Sequence, residues 1–431
     1  MIAPPTPDPL PPRLLDFLRQ VGVALSQSGE ATNRVGATLE RIAAAYGADG
    51  IRFFVLPTGV FVRVTTPNGS DVDFAPADNR QLGLDQIDRL YSLVDDASAA
   101  RVTPGEGVER LHALLTEPPR YGPAVILCGH TILTVGLGLL AQPTWSALIG
   151  YVVLGAFVGT LYWLAGRFAT LSLALPITAA ALATIVAMEF GPELTGVSSA
   201  KLLIPPLVTF LPGAALTIGT IELATGSMVA GASRLVSGFN VLGLLAFGIY
   251  VGVQVTAPTP NTVSSAPSMG WWAPLAGVAL TGLGYALRYY APPSTVPWLV
   301  AVLGLVWTAQ FLGTLAAGAL FGAFAGGLVL TPIAYLVQSR PKAPAAQVSF
   351  LPAFWMLVPG AIGLSGLSRL VITGVGLNEL VTVVLTVIAI ALGVLVGSSV
   401  APTTTRHLTA MAELPARLRR HARASSGKAP K

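Results

Sequence analysis

Long apolar runs, separated by short polar segments, dominate the chain from Tyr121 to about Ala401. A helix needs about 20 mostly apolar residues to cross a bilayer. Runs of this kind predict ten membrane-spanning helices, although very little separates the seventh from the eighth and a count of nine stays open. The predicted spans are 123–140, 145–164, 171–189, 202–222, 230–255, 271–289, 296–311, 314–337, 348–368 and 378–400.

Residues 13–120 have a different pattern, in which amphipathic runs alternate with polar turns. Apolar residues recur at helical spacing in "PRLLDFLRQVGVALSQSG" and "EATNRVGATLERIAAAYG", which end at Gly29 and Gly47. The runs "IRFFVLP" and "GVFVRVTT" predict a β-hairpin around Pro57-Thr58-Gly59, and "SDVDFA" predicts a third strand. Two further helices are predicted near 84–100 and 105–116. The pattern is typical of a small cytosolic α/β domain.

The composition agrees with this division. Of the 431 residues, 53% are hydrophobic and only 10% are charged, whereas soluble domains carry about 25% charged residues. Residues 1–12 are rich in proline and have no apolar core after a basic patch, so they predict a flexible tail and no signal peptide. The single cysteine, Cys128, rules out an internal disulfide.

The few charges of the apolar region lie mostly on one side of the predicted membrane. With the amino terminus in the cytosol, the outer side holds only Lys201 and Arg369, and the predicted outer loop 257–270 has no charge. This bias favours ten spans with both termini in the cytosol. The basic tail 402–431 is expected to be disordered and to rest on anionic lipid. The basic residues of the cytosolic loops and their edges are Arg167, Arg234, Arg288, Arg340 and Lys342.

Two predicted spans, the fourth and the ninth, carry helix breakers at matching positions. These positions divide the ten predicted spans into two units of five. Because five is an odd number of crossings, the second unit (271–401) is predicted to enter the membrane inverted relative to the first (121–256), as in many secondary transporters. In each break a proline is followed by six residues and then by Pro-Gly: Pro205 with Pro212-Gly213, and Pro352 with Pro359-Gly360.

A break of this kind indicates a site for a polar solute. An unpaired backbone group in lipid costs several kcal/mol, so a break survives only where protein or a water-filled cavity covers it. A half-helix that begins after Pro212-Gly213 points its N–H groups and the positive end of its dipole at the break. The alternative is that the prolines and glycines only kink the helices. The matched pair of breaks favours binding.

Four ionisable residues in or near the spans are candidates for proton coupling. Glu222 lies nine residues past Gly213, about 13 Å along a helix, and is either a proton-carrying carboxylate or an interfacial residue. Arg234 is placed to pair with Glu222 across a short turn. Arg369 lies nine residues past Gly360 in the second unit, the same separation as that of Glu222 from Gly213. His130, in the first span, either relays protons or bonds a backbone carbonyl.

The motifs together resemble the threonine/serine exporter family. "VGVALSQSGEATNRVGATLERIAAAYG" followed by "FFVLPTGVFVRVT" resembles the family's cytosolic domain, and "LPAFWMLVPGAIGLSG" resembles its second-half signature. "LPGAALTIGTIELATGSMVAGASRLVSG" resembles its first-half signature, in which Pro-Gly precedes an acidic residue and Gly-x-x-Arg-Leu. Here those are Pro212-Gly213, Glu222, and Gly231 with Arg234-Leu235.

The resemblance runs from about Leu14 to Gly397 and implies a function. It implies efflux of threonine and serine, driven by the proton motive force, at the plasma membrane of a bacterium. One position departs from the pattern, since Ile218 stands where many relatives have Asn. If that Asn contacts solute in relatives, the site differs here in detail.

We therefore predict a polytopic α-helical transporter of two inverted five-helix repeats behind an α/β domain. Its expected partners are a small amino acid, protons and anionic lipid, without nucleic acid, cofactor, metal or enzymatic activity; a homo-oligomer stays open. Rival interpretations are export of another small metabolite such as a dicarboxylate, and a channel or membrane scaffold with a regulatory soluble domain. Asn240 and Gln310 are expected to hold helices together. The expected solute-binding residues are Pro212, Gly213, Thr217, Pro359, Gly360 and Ser365.

Overall fold

The computed structural model describes residues 13–48, 50–66, 69–78, 80–141, 143–195, 199–256, 268–357, 378 and 381–400. Several sequence predictions lie outside these residues. They are the proline-rich tail 1–12, most of the predicted outer loop 257–270, the second Pro-Gly break at 359–360 and the basic tail 402–431.

Residues 13–120, here called the amino-terminal segment, contain helices and an antiparallel sheet with strand order β1-β2-β3. The predicted hairpin is confirmed, because Leu56 pairs with Gly59 across a two-residue turn. The predicted third strand and the four predicted helices also form in the described part of the segment. The elements are α1 (Leu14–Gln27), α2 (Thr32–Ala45), β1 (Ile51–Leu56), β2 (Gly59–Thr66), β3 (Gly69–Pro76), α3 (Leu84–Ser98) and α4 (Pro104–Thr116).

The core of this segment joins the core of the helices that follow it. Phe17, Val21, Leu39, Val60 and Val62 are at most 1% exposed, and burial of an apolar side chain of this size contributes about 1.5–3 kcal/mol. The same cluster of buried residues continues into later helices of the chain. The amino-terminal segment is therefore packed against those helices and is not merely tethered to them.

The rest of the described chain is a bundle of apolar helices, as in a polytopic helical membrane protein. Its described residues contain seven helices long and apolar enough to cross a membrane, or eight if the bent pair α8–α9 is one span. The helices are α5 (Pro123–Ala141), α6 (Trp145–Ala165), α7 (Ala169–Thr195), α8 (Ser199–Leu207), α9 (Gly213–Ala224), α10 (Met228–Val255), α11 (Ala273–Arg288), α12 (Val296–Ala317), α13 (Ala319–Gln338), α14 (Ala346–Leu357) and α15 (Val381–Val400).

The predicted count of ten spans stays a prediction. Helix α11 has 16 residues and the described part of α14 has 12, which is shorter than the length that spans a bilayer. The predicted boundary between the seventh and eighth spans is wrong, because α12 continues to Ala317 and only Gly318, at φ 86°, separates it from α13. Glycine adopts this left-handed conformation at little cost, so a single residue is enough for the reversal.

The backbones of α5 and α11 are in close contact. A Cβ added at Gly136 would lie 2.5 Å from the backbone nitrogen of Thr281, and one added at Gly284 would lie 2.5 Å from that of Leu133. Gly129 lies opposite Leu287 in the same way, so the two helices run antiparallel. Small residues let the backbones approach closely, which is how helices associate in membranes.

Candidate functional site

The first predicted break is present in the structure. Helix α8 ends at Leu207, one 3-10 turn (Val208–Phe210) follows, and α9 begins at Gly213 after Pro212. The two parts of the span are bent by 57°. The N–H of Leu216 donates to the Pro212 carbonyl at 3.0 Å. The amides of the three residues before Leu216 therefore precede the first helical hydrogen bond of α9, as at any helix start.

A cavity of about 530 Å³ lies at this break and is here called the break cavity. Pro212, Ala214 and Ala215 bring the start of α9 to its wall. None of its described lining residues is charged, and its size is that of small-molecule sites. Its polar and aromatic lining residues are Gln81, Thr209, Phe210, Ser237, Tyr285, Tyr289, Trp307, Gln310 and Trp355.

Aromatic rings form one wall of the break cavity. The Trp355 ring centroid lies 4.6 Å from that of Tyr289 and 5.6 Å from that of Tyr285. The hydroxyl oxygen of Thr209 is buried and has no hydrogen-bond partner among the described residues. Aromatic faces attract ammonium groups, and a buried hydroxyl gains stability from a polar ligand atom.

Arg288 is buried directly behind this wall. It is 5% exposed, and its guanidinium carbon lies 4.0 Å from the ring centroid of Tyr162 and 5.1 Å from that of Tyr289. Arg288 is the last residue of α11, and its prediction as a charge at the cytosolic edge of a span stays a prediction. It lies inside the protein because a planar guanidinium can stack on aromatic faces.

The turn after α9 places Glu222 beside Arg234. The N–H of Ser227 donates to the Glu222 carbonyl at 2.8 Å and that of Gly226 to the Leu223 carbonyl at 3.2 Å, with Gly226 at φ 88°. This is a Schellman motif, which needs a left-handed residue and therefore favours glycine. Arg234 Nε lies 3.0 Å from Glu222 Oε2 and 3.2 Å from Oε1, so the predicted pair forms.

Glu222 also holds the amino-terminal segment. The backbone N–H of Thr32, the first residue of α2, donates to Glu222 Oε1 at 2.9 Å, and Glu222 is 0% exposed. A carboxylate at a helix N-terminus is stabilised by the helix dipole. Arg234 Nη2 donates to the Glu30 carbonyl at 3.3 Å. The Glu222–Arg234 pair therefore caps α2, whose first residue lies 190 positions before Glu222 in the sequence.

Further contacts fix the amino-terminal segment to this end of the bundle, here called the docked end. The N–H of Leu84 donates to the Tyr289 carbonyl at 2.7 Å, and the N–H of Ala345 donates to Asp88 Oδ1 at 2.7 Å. Gln81 lies three residues before Leu84 and lines the break cavity. The amino-terminal segment therefore contributes the Gln81 side chain to the lining of the break cavity.

The other predicted site residues are less closely associated with the break cavity. His130 is 1% exposed, lies on α5 beside Gly159, and is not among the lining residues. Thr217 is 0% exposed, its hydroxyl has no partner among the described residues, and it does not line the cavity either. The predicted residues that lie outside the described residues are Pro359, Gly360, Ser365 and Arg369.

Several lining residues were not anticipated from the sequence. Gln310, expected to hold helices together, lines the cavity, and so do the aromatic residues of α11, α12 and α14. Their only signal in the sequence is polarity or size within an apolar helix, which does not show the direction of the side chain. Among the described residues, no group of three or more His, Cys, Asp or Glu side chains is placed to hold a metal ion.

Comparison with known proteins gives one match. The family model described as "Putative threonine/serine exporter" matches residues 16–256, more than half of the 431 residues. The matched range covers the amino-terminal segment and helices α5–α10, with the first break and Glu222. No curated protein and no solved structure matches the chain.

Proposed function

The chain belongs to the threonine/serine exporter family, and on that premise we propose that it exports small neutral amino acids such as threonine and serine from the cytosol. It does so as a secondary transporter in the plasma membrane, with both termini and the docked end in the cytosol. The observation that carries the proposal is the break cavity, whose described lining is mostly aliphatic, with several polar and aromatic side chains and no charged one.

This lining suits a zwitterion. The solute carboxylate faces the amides at the start of α9, near Ala214 and Ala215, where the helix dipole favours negative charge. The solute ammonium faces the rings of Tyr285 and Trp355, since the Tyr289 ring already lies near the Arg288 guanidinium. Opposite ends of the solute thus meet opposite electrostatic environments without a fixed charge in the lining.

The same lining argues against a dicarboxylate. Two carboxylates in a site of low polarity need cationic partners, and the described lining supplies none. Arg288 lies close to the cavity, but its guanidinium is near the Tyr289 ring and it is not among the described lining residues.

We further propose that Glu222 carries the coupling proton. Protonation removes the negative charge that Arg234 and the start of α2 bind, so it loosens the amino-terminal segment from the docked end. His130 and Arg369 stay secondary candidates from the sequence.

The proposal is tested with inverted membrane vesicles, whose cytosolic face points outward. An acidic lumen should drive uptake of labelled threonine, a protonophore should abolish this uptake, and excess dicarboxylate should leave it unchanged. Vesicles from cells without the protein provide the background. Inhibition of threonine uptake by excess dicarboxylate would favour a dicarboxylate as the transported solute. Equal threonine uptake without a proton gradient would favour a channel.

A further inference from the structure

Two adjoining cavities lie at the docked end, separate from the break cavity. One, of about 490 Å³, lies between α2, α9, α13, α14 and α15, and the other, of about 280 Å³, lies between α2, α3, α13 and α14. Together they are called the docked-end cavity. The residues that line both parts, and so join them, are Glu30, Arg34, Thr331, Tyr335, Gln347 and Phe350.

The membrane helices contribute buried polar groups to this cavity. Thr331 of α13 is 2% exposed and Gln347 of α14 is 6% exposed. The hydroxyl oxygen of Thr331 has no hydrogen-bond partner among the described residues. A buried hydroxyl without a partner is destabilising. Thr331 therefore lines the cavity with hydrogen-bonding capacity that the described residues do not use.

Two of the shared residues, Glu30 and Arg34 of the amino-terminal segment, carry opposite charges, and Arg41 and Asp95 line the smaller part as well. Arg34 Nε lies 3.3 Å from Glu30 Oε1, and Arg34 Nη2 donates to the Tyr335 hydroxyl at 2.7 Å. The Tyr91 hydroxyl donates to Glu30 Oε2. Glu30 raises the pKa of Arg34, and burial together with Glu30 raises the pKa of Tyr91. Arg34 is thus a fixed cation, and Tyr91 a neutral donor, at physiological pH.

We propose that the docked-end cavity is a second binding site for a zwitterionic α-amino acid. Arg34 binds the solute carboxylate, Glu30 binds the ammonium, and Thr331 and Gln347 bond the remaining polar atoms. Both charges of the protein stay paired during binding, because each exchanges its internal partner for a group of the solute. The ligand class and the cytosolic side of this site rest on the function proposed above.

Helices α9 and α14 separate the two sites. Helix α9 presents Ala215 to the break cavity and Ile218 to the docked-end cavity, and α14 presents Trp355 to the former and Phe354 to the latter. Ile218 is 6% exposed and Phe354 is 0% exposed, so the partition is closed by apolar side chains. In the sequence, α9 begins at the first Pro-Gly and the described part of α14 ends two residues before the second. The docked-end cavity is therefore a loading site in series with the break cavity.

Uptake measured separately from each face of the membrane tests this inference. Thr331→Val removes the hydroxyl at nearly constant volume, and Gln347→Met removes the amide. In inverted vesicles each should raise the threonine concentration for half-maximal uptake by roughly 2- to 10-fold, the range of one lost hydrogen bond. In right-side-out vesicles, where exchange begins from the outer face, the same concentration should change less than about twofold.

Two controls accompany the measurement. Thr331→Ser keeps the hydroxyl and should behave as the wild type. Thr308→Val removes an exposed hydroxyl of α12 that donates to the Gly304 carbonyl at 2.7 Å, and should change neither value. Equal changes at both faces, or none at either, would overturn the second site while threonine uptake by the wild type still supports the proposed function. Absence of wild-type threonine uptake would overturn both.

Discussion

At the scale of single residues, Glu222 is buried and held by three hydrogen bonds. Its carboxylate accepts from Arg234 and from the Thr32 backbone while 0% of the residue is exposed. Removing one member of a buried ion pair costs about 3–5 kcal/mol, because the other charge stays unpaired. Two roles are therefore consistent with these contacts: a proton carrier, and a purely structural partner of Arg234.

Substitution of Glu222 separates the two roles. Glu222→Gln mimics the protonated form permanently, so it should weaken proton-driven threonine efflux at least tenfold more than threonine-for-threonine exchange, which needs no net proton movement. Glu222→Asp keeps the charge with a shorter reach and should retain part of the driven activity. Both modes are measured in vesicles and corrected for protein amount.

The structural role predicts a different outcome for the same variants. Glu222→Gln would then lower protein amount and both transport modes together. Arg234→Gln introduced alongside it would restore them, because no unpaired charge would remain. Such a joint loss and recovery would contradict the assignment of Glu222 as the proton site.

Thr209 makes a second prediction at this scale. Because Thr209 lines the break cavity and its buried hydroxyl has no partner among the described residues, Thr209→Val should raise the half-saturating threonine concentration roughly 2- to 10-fold. Thr160→Val is the matched control, since the Thr160 hydroxyl is exposed and donates to the Ala156 carbonyl at 2.8 Å. The measurement is threonine uptake at varied concentration, and equal behaviour of the two variants would remove Thr209 from the site.

At the scale of elements, the break in the fourth predicted span organises the candidate site. The short 3-10 turn and Pro212 interrupt the helix, and the 57° bend aims the start of α9 at the cavity. The first backbone N–H groups of α9 have no acceptor within the helix, as at any helix N-terminus. The element therefore acts through its backbone, and side chains matter there mainly by their size.

Gly213→Leu tests this interpretation. Gly213 is the buried first residue of α9, so a leucine side chain should fill the space in which solute approaches the backbone and abolish transport. Gly360→Leu should do the same at the second predicted break. Gly243→Leu is the control, since a Cβ at this α10 glycine has no atom within 4 Å. Protein amount is checked in the membrane fraction, and normal uptake by the first two variants would leave the breaks as kinks.

At the scale of the whole molecule, the amino-terminal segment and the helix bundle form one packed body at the docked end. The segment supplies Gln81 to the break cavity, and its contacts with Glu222 and Tyr289 fix two separate helices of the bundle. Solute that enters from this end must therefore pass beside the segment. The orientation of the bundle decides whether that end faces the cytosol.

Reporter fusions determine this orientation. The positive-inside bias predicts that a fusion at Asn261 lies outside and that a fusion after Lys431 lies in the cytosol. A compartment-specific reporter pair, such as alkaline phosphatase and a fluorescent protein, reads each position. Fusions at both positions on the same side would remove the inverted arrangement of five plus five spans.

The sequence by itself determined the features that depend on local chemistry. Long apolar runs predicted the membrane helices, Pro-Gly predicted the break before α9, and the spacing of Glu222 and Arg234 across a glycine turn predicted their contact. Each follows from residues at most a few turns apart, so it can be inferred without knowing the fold. The boundary at Gly318 was missed because the runs on its two sides are equally apolar.

Only the tertiary structure decided how these elements meet. The wall of Tyr285, Tyr289 and Trp355, the burial of Arg288 between rings, and the capping of α2 by Glu222 depend on which faces of distant helices pack together. In a helix that is apolar on all sides, the sequence pattern does not mark the inward face. The rotation of each helix, and with it the lining of both cavities, is therefore fixed by packing between segments far apart in the chain.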